Sequence, residues 1–246
     1  MDNHQTVEKL RDMRLGAMAR LHSQYVQENR CGKLSPDEYL ALLIEHEWED
    51  RQNRKMARLI KQASFREDAS LADVDYLKDR NLDRNMFERL ATMDFMARRE
   101  NMIIVGASGV GKSYLAQALG HQACLNGKRV LYSGTARLLA RLRLAKVDGT
   151  YLKQLKRVTS MDLLILDDFG LQAFDNLTRE ILLDIIDDRF RSGSTIVASQ
   201  IPVSSWHQLI GEGTIADAIL DRIVNSSHRI ELKGESLRKG LLLERK

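Results

Sequence analysis

The run Met102-Ile103-Ile104-Val105 leads into Gly106-Ala107-Ser108-Gly109-Val110-Gly111-Lys112-Ser113, and a helical stretch follows from Tyr114 to Cys124. Glycines at these spacings free backbone N–H groups to curl round a phosphate, and a helix N-terminus adds positive potential. In that frame Lys112 faces the β and γ phosphates of ATP, and the Ser113 hydroxyl ligates Mg²⁺. A second element adds hydrolysis: Leu163-Leu164-Ile165-Leu166-Asp167-Asp168, an apolar strand ending in two carboxylates. At the same sheet edge, Asp167 would hold the Mg²⁺ water shell and Asp168 would polarise the attacking water. Alone, Asp-Asp after a strand is often just a helix cap. Its place, one βα unit beyond the lysine, favours an ATP-hydrolysing site.

Three further residues stay open at this level. The run Thr195–Ala198 ends in Ser199-Gln200, where Gln200 either touches the γ-phosphate or only opens the following loop. Arg222 lies beside Asp221 in the helical stretch Ala216–Val224 and reads as an exposed ion pair of little consequence. Arg238, in Glu235-Ser236-Leu237-Arg238-Lys239, is equally ambiguous.

These residues need a parallel sheet to bring them together. Short apolar runs at Met102–Val105, Arg129–Tyr132, Leu163–Leu166 and Thr195–Ala198 alternate with helical stretches, the pattern of βαβ units. The chain before them is helical. Val7, Leu10, Ala17, Met18, Leu21 and Tyr25 recur at helical spacing up to Cys31-Gly32. Ser35-Pro36-Asp37-Glu38 then starts a second helix with a cap, a first-position proline and a capping box. Leu40, Leu43, Ile44, Trp48, Met56, Leu59 and Ile60 are expected along its apolar stripe. The expected organisation is a helical domain over 1–66, a linker over 67–96 with a short helix near Arg84–Leu90, and an α/β ATPase domain over 97–246.

Composition narrows the class. The chain has 246 residues, 6% aromatics and two prolines, which disfavours a many-stranded sandwich or barrel. It has no apolar run long enough for a membrane span, and its charged N-terminus does not read as a signal peptide. Cys31 and Cys124 make no disulfide framework, so a reducing cytoplasm is expected. No histidine sits at zinc spacing. The net charge of +4 conceals one concentrated segment, 127–157, which carries +8, with Asp148 as its one acid. Arg137, Arg141, Arg143, Lys146, Lys153, Lys156 and Arg157 lie in it. A solvated helix face usually mixes signs, so this clustering points to a polyanion.

Together these motifs resemble the AAA+ ATPases of the helicase-loader and transposition-helper group, the DnaC/IstB-like family. The resemblance spans nearly the whole chain: GASGVGKS, LLILDDFG, AILDRI and GESLRK occur in order, and IPVSSWHQLIGEGTIADAILDRI looks specifically like IstB. The resemblance implies a P-loop core behind a small helical N-terminal domain. By position, Gln200 resembles a first sensor, Arg222 an arginine finger acting on a neighbour's ATP, and Arg238 a second sensor. Two departures stand out: Asp168 occupies a position where most AAA+ proteins carry Glu, which implies slow turnover, and little chain follows Arg238 to form a helical lid.

The resemblance also implies that the basic segment faces duplex DNA in a nucleotide-dependent homo-oligomer. Phosphate contacts of this kind give affinity without sequence choice. The leading expectation is a bacterial transposition helper that presents DNA to the transposase of its insertion sequence, cytoplasmic and nucleoid-associated when bound. The alternative is a replicative helicase loader of the DnaC type, which prefers single strands. A small-molecule kinase would leave the basic segment unexplained, and a non-catalytic ATP-gated scaffold would follow if Asp168 were a poor base.

Overall fold

The computed structural model describes residues 3–76 and 80–237, which form two compact units, Met1–Arg58 and Leu59–Lys246. The boundary falls within one long helix.

In the first unit, α1 (Asn3–Asp12) and α2 (Gly16–Gln27) precede α3 (Pro36–Ala63). The expected single helix over Val7–Tyr25 is broken at residues 13–15, where Arg14 takes a left-handed conformation (φ 61°). The break is stabilised from a distance. Glu47 of α3 is 4% exposed, and its Oε2 accepts hydrogen bonds from the Ala17 and Met18 amides at 2.9 and 3.1 Å. These are orphan donors of a helix start that lacks a side-chain cap of its own. The start of α3 is as expected: Ser35 N–H donates to the Glu38 carboxylate at 2.8 Å, and Glu38 N–H donates to Ser35 Oγ at 3.3 Å. The expected apolar stripe of α3 divides, because Leu43 and Leu59 are buried while Leu40, Ile44 and Trp48 are more than half exposed.

The second unit is a layered α/β structure. The stretch 67–96 supplies α4 (Arg84–Ala91), capped by Asp83 on the Met86 amide, and the short α5 (Asp94–Ala97). Its Val74, Phe87, Leu90, Met93 and Phe95 are buried in the core. The core elements then follow as β1 (Asn101–Gly106), α6 (Lys112–Leu125), β2 (Val130–Gly134), α7 (Thr135–Val147), α8 (Tyr151–Thr159), β3 (Leu163–Phe169), α9 (Asn176–Arg189), β4 (Ser194–Ser199), α10 (Trp206–Ile210), α11 (Gly213–Val224) and β5 (Ser227–Leu232).

Among the described residues, five strands form one sheet in the order β2-β3-β4-β1-β5, with every pairing parallel. Both faces are covered. One packs on α4, α5 and α6, the other on α7, α8, α9, α10 and α11. Double-sided burial explains why the inner strands read as unbroken apolar runs. Leu163, Leu164 and Ile165 are 0% exposed, and each such side chain contributes about 1.5–3 kcal/mol. The strand β5 has no such run, since only Ile230 and Leu232 turn inward on this edge strand. Among the described residues, no helix is long and apolar enough to cross a membrane.

Candidate nucleotide site

The sheet order places the C-terminal ends of β1 and β3 on either side of β4, where ligands bind in open α/β sheets. From β1 the chain turns through Gly106–Gly111 into α6. Glycine is required there at each of its three positions, and a Cβ at Gly106 would lie 2.5 Å from the Leu232 carbonyl oxygen. A methyl group at Gly109 (φ 82°) would lie 2.0 Å from Ser236 Oγ, and Gly111 (φ 98°) forms the N-cap of α6 with Arg80 Nη1 only 2.7 Å from a would-be Cβ. Val110 points into the core at 0% exposure and pins the loop. Lys112 is 7% exposed and its Nζ donates to the Ala107 carbonyl at 2.7 Å, inside the loop that would embrace a phosphate.

The two β3 acids are held differently. Asp167 is 1% exposed, and its Oδ1 accepts from Ser113 Oγ at 3.0 Å and from the Asp168 amide at 2.9 Å. Its Oδ2 accepts from the Tyr132 hydroxyl at 2.5 Å, and Thr135 Oγ1 donates to its backbone carbonyl at 2.9 Å. Burial and then the bond to Asp167 push the Tyr132 phenol well above its ordinary range. A serine hydroxyl and a carboxylate converging within hydrogen-bond distance are the oxygen donors that suit Mg²⁺.

Asp168 sits one residue on, at a register shift of the β3–β4 ladder, in a left-handed conformation (φ 54°) that Asp tolerates. It is less enclosed, and Arg66 Nη1 stands 3.7 Å from its Oδ2. Around it the backbone is locked. Ser199 Oγ donates to the Phe169 carbonyl at 2.7 Å and accepts from the Ile201 amide at 3.0 Å. The Trp206 ring packs 4.6 Å from that of Phe169, and its Nε1 donates to the Ile201 carbonyl at 2.9 Å. Ser199 is therefore committed to the fold, while Gln200 lines the same cavity as Ser108, Lys112, Ser113, Asp167 and Asp168. That cavity measures about 830 Å³, within the range of small-molecule sites.

Arg66, Tyr132 and Arg80 are among the lining residues that carry no motif signal. Arg80 is 4% exposed, its Nη2 donates to the Asp75 carbonyl at 2.8 Å, and burial pulls its pKa down. Ser236 packs on Gly109, and the Leu237 amide donates to the Gly109 carbonyl at 2.9 Å. Arg238, the next residue, lies outside the described residues.

Arg222 is at the other end of the sheet. The Asn101 side chain, at the start of β1, donates to its carbonyl at 3.0 Å. Its sequence neighbour Asp221 is not its partner: Arg222 Nε meets Asp187 at 2.5 Å, and Asp221 takes the Asn225 amide. A strand the length of β1 spans roughly 20 Å, so Arg222 cannot reach the phosphate loop of its own chain.

The basic segment starts just before β2, where Arg129 pairs with Asp162 at 3.2 Å, and runs through β2, α7 and most of α8. Arg143 is paired with Asp175 at 2.8 Å, and Lys146 lies 3.6 Å from Glu180 and over the Tyr151 ring. Arg137, Arg141, Lys153, Lys156 and Arg157 differ. They are exposed, and none is ion-paired among the described residues. Although Arg141 is exposed as a residue, neighbouring atoms partly desolvate its guanidinium; that, then the charges of Arg157 and Arg137, lowers its pKa.

A model of IstB-like ATP binding proteins matches residues 8–243. The chain belongs to the IstB-like ATP-binding protein family. It is 46% identical to the insertion-sequence ATP-binding protein y4pL of Sinorhizobium fredii, over 96% of each chain. It is 33% identical to the ATP-binding protein of insertion sequence IS21 of Pseudomonas aeruginosa, over 88% of this chain and 82% of that one. Among solved structures, DnaI is similar at 24% identity and a TM-score of 0.56, covering 72% of this IstB-like chain and 93% of DnaI. AMPPCP-bound DnaA from Aquifex aeolicus is similar at 18% identity and a TM-score of 0.56, covering 74% and 56%. The fold is thus that of the AAA+ P-loop proteins, and the family match makes the chain an ATP-binding protein of the IstB type.

Proposed function

We propose that this chain is an ATP-hydrolysing, DNA-dependent assembly factor that forms homo-oligomers on duplex DNA and presents that DNA to the transposase of its insertion sequence. The observation that carries the proposal is the pairing of a built nucleotide cavity with five exposed cations on α7 and α8 that have no carboxylate partner among the described residues. Lys112 steadies the β and γ phosphates, and Ser113 and Asp167 would hold Mg²⁺, which supplies charge neutralisation on the phosphates when bound. Asp168 takes the proton of the attacking water as the bond to the β-phosphate oxygen breaks, and Gln200 orients that water. Arg222, too far from its own phosphate loop, acts on the ATP of an adjacent subunit. Arg137, Arg141, Lys153, Lys156 and Arg157 bind DNA phosphates, with Arg143 and Lys146 contributing once released from their acids.

The test is DNA binding with ATP, ADP or no nucleotide, on duplex and single strand of the same sequence. Tight binding to duplex that needs ATP and does not discriminate between sequences is the expected result. A preference for single strands would favour a helicase loader, and binding indifferent to nucleotide would overturn the coupling.

A further inference from the structure

A cation paired with Asp168 is not part of any nucleotide motif. Arg66 follows α3 by three residues, and its guanidinium stands 3.7 Å from Asp168 Oδ2 and 5.7 Å from the Tyr132 ring centroid. It lines the nucleotide cavity together with Lys112 and Asp167. Its backbone is built into the site. Gln117 of α6, 1% exposed, accepts hydrogen bonds at Oε1 from the Arg66 and Glu67 amides at 2.6 and 3.1 Å, and its Nε2 donates to the Ser113 carbonyl at 3.1 Å. One buried side chain therefore ties the Arg66 backbone to the first turn of the phosphate-loop helix. The preceding residue is locked as well. Phe65 packs so closely on α6 that a methyl group at Gly120 would lie 2.8 Å from its ring.

We propose that Arg66 is a same-subunit γ-phosphate ligand that pairs with Asp168 when no γ-phosphate is present and transfers to the γ-phosphate when ATP binds. A guanidinium has five N–H donors in a planar fork and stays charged, so it can exchange a carboxylate for a phosphate without changing protonation. Its two acceptors differ in charge, and a γ-phosphate beside Lys112 carries more negative charge than one carboxylate. Binding of ATP then frees Asp168 to take a proton from water, whereas ADP leaves the Arg66–Asp168 pair in place. Arg66 thereby distinguishes the two nucleotides within one subunit, a role separate from that of Arg222. The inference rests on the hydrolytic reading of Asp168, but its test does not require turnover.

The experiment measures displacement of a fluorescent ADP analogue from the full chain by ADP and by AMP-PNP, both with Mg²⁺, for wild type, Arg66→Gln and Arg66→Lys. Arg66→Gln should weaken AMP-PNP binding by about tenfold, the scale of one charge-assisted hydrogen bond, while ADP binding changes less than twofold. Arg66→Lys should recover part of the difference. Equal losses for both nucleotides would mean that Arg66 only holds the loop in shape, and unchanged affinities would mean that it does not reach the γ-phosphate; either overturns the proposal. ATPase assays on wild type and Asp168→Asn run beside it. Absent turnover in both would count against the hydrolytic reading, while the ADP to AMP-PNP ratio still decides Arg66.

Discussion

The nucleotide cavity and the α7–α8 surface are both polar, yet their side chains are held in opposite ways. In the cavity the Asp167 carboxylate receives three hydrogen bonds, Lys112 donates into its own loop, and Ser199 is bonded on both sides. On α7 and α8, Arg137, Arg141 and Arg157 face solvent close enough to oppose one another's charge. A buried polar group without partners costs roughly 1–3 kcal/mol, so the fold satisfies these groups internally, although Arg80 Nε in the cavity wall has no hydrogen-bond partner among the described residues. Exposed cations carry no such obligation, because water solvates them and salt screens them. The first region is held together by its own hydrogen bonds; the second leaves its charges open to solvent.

The sharpest way to separate the two regions is at Asp168. Asp168→Asn removes the group that accepts the proton from water but keeps Asp167, Ser113 and Lys112. Turnover should fall by about 10²–10⁴-fold, the usual worth of a general base, while ATP affinity and ATP-dependent DNA binding persist. Single-turnover hydrolysis beside nucleotide titration checks this, and loss of ATP binding in a folded variant would show that the roles of the two acids are exchanged.

Lys112→Ala should act one step earlier. Removing a buried cation from the phosphate loop should weaken ATP binding by roughly ten- to hundredfold and abolish the ATP-stimulated part of DNA binding. The nucleotide-free DNA affinity should not change, because Lys112 and the α7–α8 cations are in different parts of the fold. Titrations of both ligands on the same preparation measure the two effects, and a fall in nucleotide-free DNA binding would break the comparison.

The smallest expected effect lies in the N-terminal unit. Burial opposes ionisation of Glu47, but the bonds from Arg51 and from the Met18 and Ala17 amides outweigh it and hold the carboxyl below its ordinary pKa. A carboxyl with a lowered folded pKa contributes stability above its unfolded value, and that contribution is lost as pH falls through the folded value. Glu47→Gln should therefore cost about 1–3 kcal/mol at neutral pH and progressively less below roughly pH 4.5. Chemical denaturation of the full chain at pH 7 and pH 4 checks the sign; an equal cost at both would remove the charge from the explanation.

Much of this was legible in the sequence because it is local. The phosphate loop, the capping box at Ser35 and Glu38, and strands β1 to β4 are each encoded by neighbouring residues. What escaped depends on distant partners. The break between α1 and α2 is stabilised by Glu47, far along the chain, and no spacing rule registers it. The strand β5 alternates on a sheet edge and lacks an apolar run. Tyr132 and Gln117 read as ordinary strand and helix residues until the fold sets them against Asp167 and Arg66. Among the seven cations of α7 and α8, charge counting could not tell Arg143 and Lys146, paired with acids at 175 and 180, from the five with no ion pair among the described residues.

The central claim is that those five bind DNA phosphates under the control of the nucleotide cavity, and the salt dependence of binding tests it most directly. Each neutralised phosphate adds about 0.9 to the slope of log affinity against log salt. Duplex affinity in the presence of AMP-PNP should be measured at several salt concentrations for wild type and for the double variant Arg137→Ala with Arg141→Ala. The account predicts weaker binding to unrelated sequences and a slope smaller by about 2, with AMP-PNP affinity unchanged. Weaker binding with the full wild-type slope would mean that these arginines act through assembly and not through DNA phosphates, and would contradict it.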